Sequence, residues 1–222
     1  MDSDEKKLRY DLHCHTIYSK CSFQSIKDTL RFAKIRGLDG IAITDHNEIR
    51  GALEAKKLAK KLFSNKTFEV VIGEEILTDK GEILAYYLNE RIRPGRFEDV
   101  IDEIRRQGAL CSIAHPFTRF RKNFSGDLKR AAKVVDAIET FNARNIVPGA
   151  NRNAEVAAQK YKIARTGGSD AHFPFEVGSG YTTFSESLSL EKAIRLKKTL
   201  AGGSWLMAPF GFIASGLSKK LR

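Results

Sequence analysis

Tryptophan occurs once, methionine twice, cysteine three times and histidine five times in 222 residues. Three cysteines cannot all pair within one chain, so a disulfide framework is excluded and a buried core has to hold the fold. Proline is nearly as scarce, at five, and no low-complexity or linker-like stretch divides the chain. No apolar run reaches the ~20 residues of a membrane span. The start carries no basic-then-apolar segment of the export type, so no membrane role and a reducing cytoplasm are expected. With 42% hydrophobic residues, the expectation is one compact domain over residues 1–222, the last ~15 residues forming a basic tail.

Negative charge is also in short supply. Thirty-eight basic residues face 27 acidic ones, a formal net charge of +11, which favours phosphorylated or polyanionic partners. The excess is uneven: Arg119 to Lys133 holds six basic residues and one acidic, and Lys192 to Arg222 holds seven and none. Solvated helix faces and a ragged tail, or a thermophile's lysine excess, would give the same counts.

What is present is an alternation of strands and helices. Leu8–His13, Asp39–Thr44, Phe68–Ile72, Glu82–Leu88, Leu110–Ala114, Ala137–Phe141 and Ala164–Gly167 read as short, nearly continuous apolar strands. Between them lie helical spacings. Ser25 offers an N-cap with Asp28 three residues on, before a helix ending at Gly37. Gly51–Phe63 repeats Leu53, Ala55, Leu58, Ala59 and Leu62, and Phe97, Val100, Ile101 and Ile104 line a face that stops at Gly108. Basic residues follow Asp127, Ala154–Lys162 is helical, and a last helix starts after Ser189. The rhythm is α/β with a mainly parallel sheet, and doubly wound and barrel arrangements both fit it.

The five histidines sharpen the picture. His13 and His15 follow the first predicted strand, His46 the second, His115 precedes Pro116, and His172 lies beside Ser169-Asp170. Asp11, Asp45, Glu74, Glu75 and Asp170 occupy matching places. In α/β folds the C-terminal strand ends form the reactive edge, so these nitrogens and oxygens are expected at one mouth. The two-residue period of a strand points His13 and His15 to the same side, a grip for one metal. Imidazole with carboxylate suits zinc, manganese or iron. No Gly-x-Ser-x-Gly elbow and no phosphate-binding Gly-x-x-x-x-Gly-Lys loop offers another chemistry.

The motifs His13-Cys14-His15-Thr16, Thr44-Asp45-His46-Asn47, Gly73-Glu74, Ala114-His115-Pro116 and Gly168-Ser169-Asp170-Ala171-His172 together resemble the PHP (polymerase and histidinol phosphatase) superfamily. The resemblance implies a distorted seven-stranded, TIM-like β/α barrel. It also implies up to three divalent metals at the C-terminal mouth, used for phosphoester hydrolysis. Carried over by position, it puts His13, His15, Glu74 and Asp170 on a first metal, with Glu74 bridging to a second that also takes His115. His46 and His172 would hold a third. Two departures stand out: Glu82 where the family often has histidine for the second metal, and Cys21 where the third commonly takes histidine or aspartate. Cys21 is a candidate thiolate ligand or a free buried cysteine.

Asp45 is expected to touch a metal or to hold a ligand imidazole, and with His46, Glu74, Asp170 and His172 it makes up the expected catalytic set. Asp11 and Glu75 should alternate away from their neighbours and serve structural roles. Arg119 and Arg121, in the basic and aromatic loop after His115-Pro116, and Arg144, at another strand end, are candidate phosphate contacts. The expected activity is a phosphatase or exonuclease that hydrolyses a phosphomonoester, nucleotide or short single-stranded nucleic acid by metal-activated water, with two or three Mn, Zn or Fe ions. A noncatalytic nucleic-acid or polymerase accessory domain, a histidinol-phosphate-type phosphatase and hydrolysis of a nonphosphate bond stay open.

Overall fold

The computed structural model describes residues 5–63, 68–118 and 123–204. Its elements run β1 (Lys7–Cys14), α1 (Ile26–Ile35), β2 (Gly40–Ile43), α2 (Arg50–Leu62), β3 (Glu69–Thr78), β4 (Gly81–Tyr86), α3 (Phe97–Arg106), β5 (Leu110–Ile113), α4 (Leu128–Ala131), β6 (Ala137–Asn142), α5 (Ala150–Tyr161), β7 (Ala164–Gly168), a 3-10 turn (Pro174–Glu176), β8 (Gly180–Ser185), α6 (Leu190–Arg195) and β9 (Leu200–Gly203). The caps read from sequence are made: Ser25 and Ser189 accept from Asp28 N and Lys192 N. Arg119, Arg121 and the basic tail lie outside the described residues. Among the described residues no helix is long and apolar enough to cross a membrane.

The strands form one sheet in the order β7-β6-β5-β4-β3-β2-β1-β8-β9. β7 curls back onto β1: Asp170 N donates to His13 O at 2.7 Å and His15 N to Ala171 O at 3.0 Å. The seven strands β1–β7 therefore make a near-closed barrel wall. β8 and β9, which the apolar-run reading missed, extend the sheet antiparallel beyond β1. The sheet is mixed rather than mainly parallel, because β3 turns directly into β4 through Thr78–Gly81. That hairpin uses Gly81 at φ 125°, which leaves no room for a crossover helix.

Alternation sorts the side chains. Leu12, Val71, Leu84, Tyr86, Leu110, Ala137 and Ala164 meet inside the barrel. On the outer face Ile76, Ile83, Ile113 and Ile138 pack beneath Phe97, Val100, Ile101 and Ile104 of α3 and Ala154 and Ala158 of α5. Ile41, Ile43 and Val70 pack beneath α1 and α2. Each fully buried aliphatic side chain contributes about 1.5–3 kcal/mol. The apolar lumen is thus a floor on which the polar upper layer of the barrel rests.

Candidate metal centre

Following the lumen-facing parity up each strand leads to charge. From Val71 it reaches Glu75, from Leu84 it reaches Glu82, and from Ala137 it reaches Glu139. All three surround the rings that leave β1. Glu75 is the hub: its Oε1 lies 3.1 Å from His115 Nε2 and 3.3 Å from His13 Nε2, and its Oε2 lies 2.9 Å from His46 Nδ1 and 3.3 Å from His15 Nε2. Asp170 Oδ1 stands 3.4 Å from His15 Nε2. Glu82 reaches within 3.9 Å of His46 and 3.7 Å of His115.

Four overlapping groups result, each with its donor atoms within 4.8 Å of one another: His13, His15 and Asp170; His13, Glu75 and His115; His46, Glu75 and Glu82; and His15, His46 and His172. The sequence's expectation that the histidines share one mouth thus describes the structure.

Neighbouring groups set the ring tautomers. His13 Nδ1 sits 2.9 Å from Glu139 Oε1. His15 Nδ1 donates to Ser19 Oγ at 3.2 Å, while that hydroxyl donates to Asp45 Oδ1 at 2.6 Å and accepts from His46 N. His172 Nδ1 donates to Asp170 O at 2.8 Å. Each ring therefore turns an Nε2 lone pair inward, the form a metal needs. The Nε2 atoms of His13 and His15 lie only 3.2 Å apart, close enough for both rings to ligate one cation that replaces a shared proton. His115 Nδ1 is buried without a hydrogen-bond partner, and a buried orphan costs free energy unless something satisfies it. Divalent ions fit this donor set.

Electrostatics agree. Burial alone would raise the Glu75 carboxyl, but His13 and His46 hold it well below the usual carboxylate range. Burial disfavours a charged His13, yet Glu139 and Glu75 outweigh it and lift the ring to about 10. Glu75 likewise outweighs burial at His46 and raises it, whereas burial and the His46 and His172 rings push His15 down. Protons on His13 and His46 do here what a metal cation does when it displaces them. Two of the site residues also hold strained backbone: His115 has φ 25° directly before Pro116, and Asp170 has φ 55°.

The PHP domain family matches residues 11–90 and the PHP-associated family matches residues 148–199. An uncharacterized protein of Methanocaldococcus jannaschii is 36% identical over 192 residues, covering 83% of this chain and 73% of that one. The chain belongs to the PHP domain superfamily. A protein of Caldicellulosiruptor saccharolyticus described as a probable phosphatase is 27% identical to this PHP protein over 198 residues, 77% of this chain and 82% of its own length. The crystal structure of a two-domain protein from Bacteroides vulgatus, containing a predicted PHP-like metal-dependent phosphoesterase, superposes with a TM-score of 0.71. It shares 19% identity over 96% of this chain and 71% of that one.

Within this PHP frame three expectations need correction. Glu74 is not in the cluster. It shares the outward parity of Ile72 and Ile76, its Oε2 accepts from Ile92 N at 2.9 Å, and burial pushes its carboxyl up to about 7. Glu75 stands among the histidines in its stead, since a slip of one residue exchanges the faces of a strand. Cys21 is half-buried and neighbours the His46 side chain, but it belongs to none of the four donor groups. Arg144 is buried, with Nε 3.4 Å from Glu176 Oε1. Glu176 Oε2 in turn accepts from His172 N at 2.7 Å and Phe173 N at 3.0 Å, so the arginine's charge braces the His172 turn.

Asp45 acts through Ser19 and Thr16, accepting from Thr16 N at 2.6 Å. Asp11 accepts from Ser169 N and Gly178 N at 2.9 and 2.8 Å and so joins β1 to the His172 segment.

Glu139 escaped sequence reading although it carried a signal, a lone charge inside the apolar run Ala137-Ile138-Glu139-Thr140-Phe141. Its Oε2 also accepts from His115 N at 2.8 Å and Asn142 Nδ2 at 3.1 Å. One carboxylate thus orients both His13 and the strained His115. Glu139→Gln is expected to weaken divalent-metal affinity by about 10–100-fold, measured by competition with a chromogenic chelator. Unchanged affinity would remove this orienting role.

Proposed function

We propose that this PHP protein is a divalent-metal-dependent phosphoesterase, acting on a phosphomonoester, nucleotide or short single-stranded nucleic acid. The observation that carries the reading is Glu75, a buried carboxylate whose two oxygens lie within 3.3 Å of four histidines. The name of the Caldicellulosiruptor relative, a probable phosphatase, supports the same class of reaction.

His13, His15, Asp170 and Glu75 would hold one ion, His115, Glu75 and Glu82 a second, and His46 and His172 a third. When bound, such ions lower the pKa of water and offset charge on phosphoryl oxygens. The chain's own residues prepare the centre. Glu139 and Ser19 fix the His13 and His15 tautomers, Asp45 holds Ser19, and Glu176 with Arg144 holds the His172 turn. The apolar lumen beneath keeps water from the lower side. His46, 34% exposed at its side chain, marks the solvent-facing edge where substrate enters. Arg119 and Arg121 are the proposed phosphate contacts from the loop outside the described residues.

Protein stripped with chelator and reloaded with manganese, zinc or iron is to be assayed on p-nitrophenyl phosphate, mononucleotides and short oligonucleotides. Turnover is expected only in reloaded protein. Metal at about a thousandfold excess over its Kd should also add about 4 kcal/mol of stability, visible as a rise in Tm. Equal turnover with and without chelator would sink the reading.

A further inference from the structure

Helices α1 and α2 lie side by side on the outer wall of the barrel, over Ile41, Ile43 and Val70, and their outward faces hold cations that the metal centre does not use. Together the two helices have eight basic residues against two acidic ones, where α3 has two against four. On α1, Lys27, Arg31 and Lys34 are exposed at i, i+4 and i+7, which places them in one row. On α2, Lys56, Lys57, Lys60 and Lys61 are exposed and make the i, i+4 step twice. Lys34 Nζ lies 5.6 Å from the ring centroid of Phe63, the residue after α2, and 5.4 Å from that of Phe68. The two sets of cations therefore join into a single surface.

Among the described residues none of these seven cations forms an ion pair. The two acids within the helices are engaged by hydroxyls: Asp28 Oδ2 accepts from Ser25 Oγ at 2.7 Å, and Glu54 Oε2 accepts from Tyr18 OH at 2.8 Å. Elsewhere carboxylates meet exposed cations, Glu98 at Lys80, Glu90 and Glu103 at Arg106, Glu155 at Arg165 and Glu191 at Arg195. Like charges four residues apart weaken a helix. The rows thus destabilise the helices that carry them, and a bound polyanion reverses that effect.

Placement selects the polyanion. Both helices start at the mouth of the barrel: α2 follows His46-Asn47-Glu48-Ile49, and α1 follows Gln24, whose Nε2 donates to Ala171 O at 3.0 Å, and Ser25. From there the helices run down the outer wall for about 15–20 Å. A mononucleotide held at the metals cannot span that length, whereas a chain of phosphates can. A flexible single strand follows a convex wall, while a duplex, stiff over about 150 base pairs, meets it along a short arc. A lipid surface fits less well. An interfacial helix sinks its apolar face into the membrane, but the apolar faces of α1 and α2 are covered by the barrel, and the exposed Ile35 and Leu62 stand only at the helix ends.

We infer that the outward face of α1 and α2 binds the phosphate backbone of a single-stranded nucleic acid, laid along the rows of cations with one end at the metal centre. The inference deepens the phosphoesterase reading and rests on it only for where the strand ends, because binding along the helices is measured without turnover. Contacts of this kind hold and orient a strand without reading its sequence.

The test is fluorescence anisotropy in chelator with a labelled oligothymidylate of about 15 nucleotides, titrated at about 50–200 mM salt. Four phosphate contacts give a log–log salt slope of about −3 and an affinity loss of about 50-fold across that range. Lys27→Gln/Arg31→Gln/Lys34→Gln and Lys56→Gln/Lys57→Gln/Lys60→Gln/Lys61→Gln should each bind at least about tenfold more weakly and flatten the slope by about 1–2. Lys160→Gln/Lys192→Gln/Lys198→Gln removes as much charge as the first variant from α5, α6 and the turn before β9, and should stay within about twofold of wild type. Circular dichroism checks that each variant is folded. A second measurement needs no variant: in the wild-type chain the strand should protect Lys27, Lys34, Lys57 and Lys61 from acetylation and leave Lys160 reactive.

Equal losses in the helix variants and the control, or protection confined to Lys219 and Lys220, would overturn the surface. So would vesicles of phosphatidylserine and phosphatidylcholine that bind through these cations while strand affinity is indifferent to them. Strand binding that follows the cations, without turnover by metal-loaded protein, would support the surface and count against the phosphoesterase reading alone.

Discussion

Replacing Glu75 by glutamine is expected to lower metal-dependent turnover by at least about three orders of magnitude, with Glu74→Gln staying within a few-fold of wild type. The asymmetry follows from strand parity. Glu75 projects into the barrel, where its two oxygens lie within 3.3 Å of His13, His15, His46 and His115. Glutamine keeps the shape but replaces one acceptor oxygen with a donor amide, which cannot ligate a cation.

Glu74 is buried on the opposite face beside Ile92. Neutralising it costs only its link to one amide, about 1 kcal/mol. Metal-free stability should also differ, because removing the Glu75 charge takes away the anion that His46 shares with His13 and leaves His13 paired with Glu139 alone. The cost stays below about 3–5 kcal/mol, that of a fully buried charge stripped of its partner, because His13 keeps Glu139, the His46 side chain is 34% exposed, and both rings can lose protons. Turnover, bound metal and Tm of the two single variants decide the matter. Loss in Glu74→Gln with retention in Glu75→Gln would reverse the assignment.

That one-residue difference marks where sequence reading stopped. The α/β rhythm, most helix boundaries and the gathering of all five histidines could be read because apolar periodicity and strand-end placement are local. The lumen-facing choice between Glu74 and Glu75 could not, because the strand Phe68–Ile72 was expected to end before them, whereas β3 runs on to Thr78. Glu139 was hidden for a related reason: its partners His13 and His115 are 126 and 24 residues away, and only barrel closure brings them together. β8 and β9 contain Gly180, Thr182, Thr183 and Gly202–Gly203, too little apolar alternation to announce a strand. Their pairing is induced by β1 rather than by local preference.

Closure also predicts a damaging small substitution. Gly168→Ala, the addition of one methyl group, is expected to lower stability by about 3 kcal/mol and metal affinity by about a hundredfold. A Cβ at Gly168 would lie 2.6 Å from His13 N and 2.9 Å from His13 Cα, and closer still to His13 Cβ. His13 cannot retreat. Its amide donates to Asp11 Oδ1 at 3.2 Å, its carbonyl accepts from Asp170 N at 2.7 Å, and its ring is held by Glu139.

Relief therefore requires β1 and β7 to separate, which moves His13 away from Asp170 and opens the seam that brings the first and last motifs together. In a chain of this length such a loss corresponds to a Tm fall of about 6–12 °C. Gly95, with nothing within 4 Å of a Cβ, supplies the control, and Gly95→Ala should be near neutral. If the methyl group acts through the metal centre as well as through packing, the Tm deficit of Gly168→Ala will be larger in metal-loaded than in chelator-treated protein. An equal deficit in both would confine the effect to the seam and leave His13 in place as a ligand.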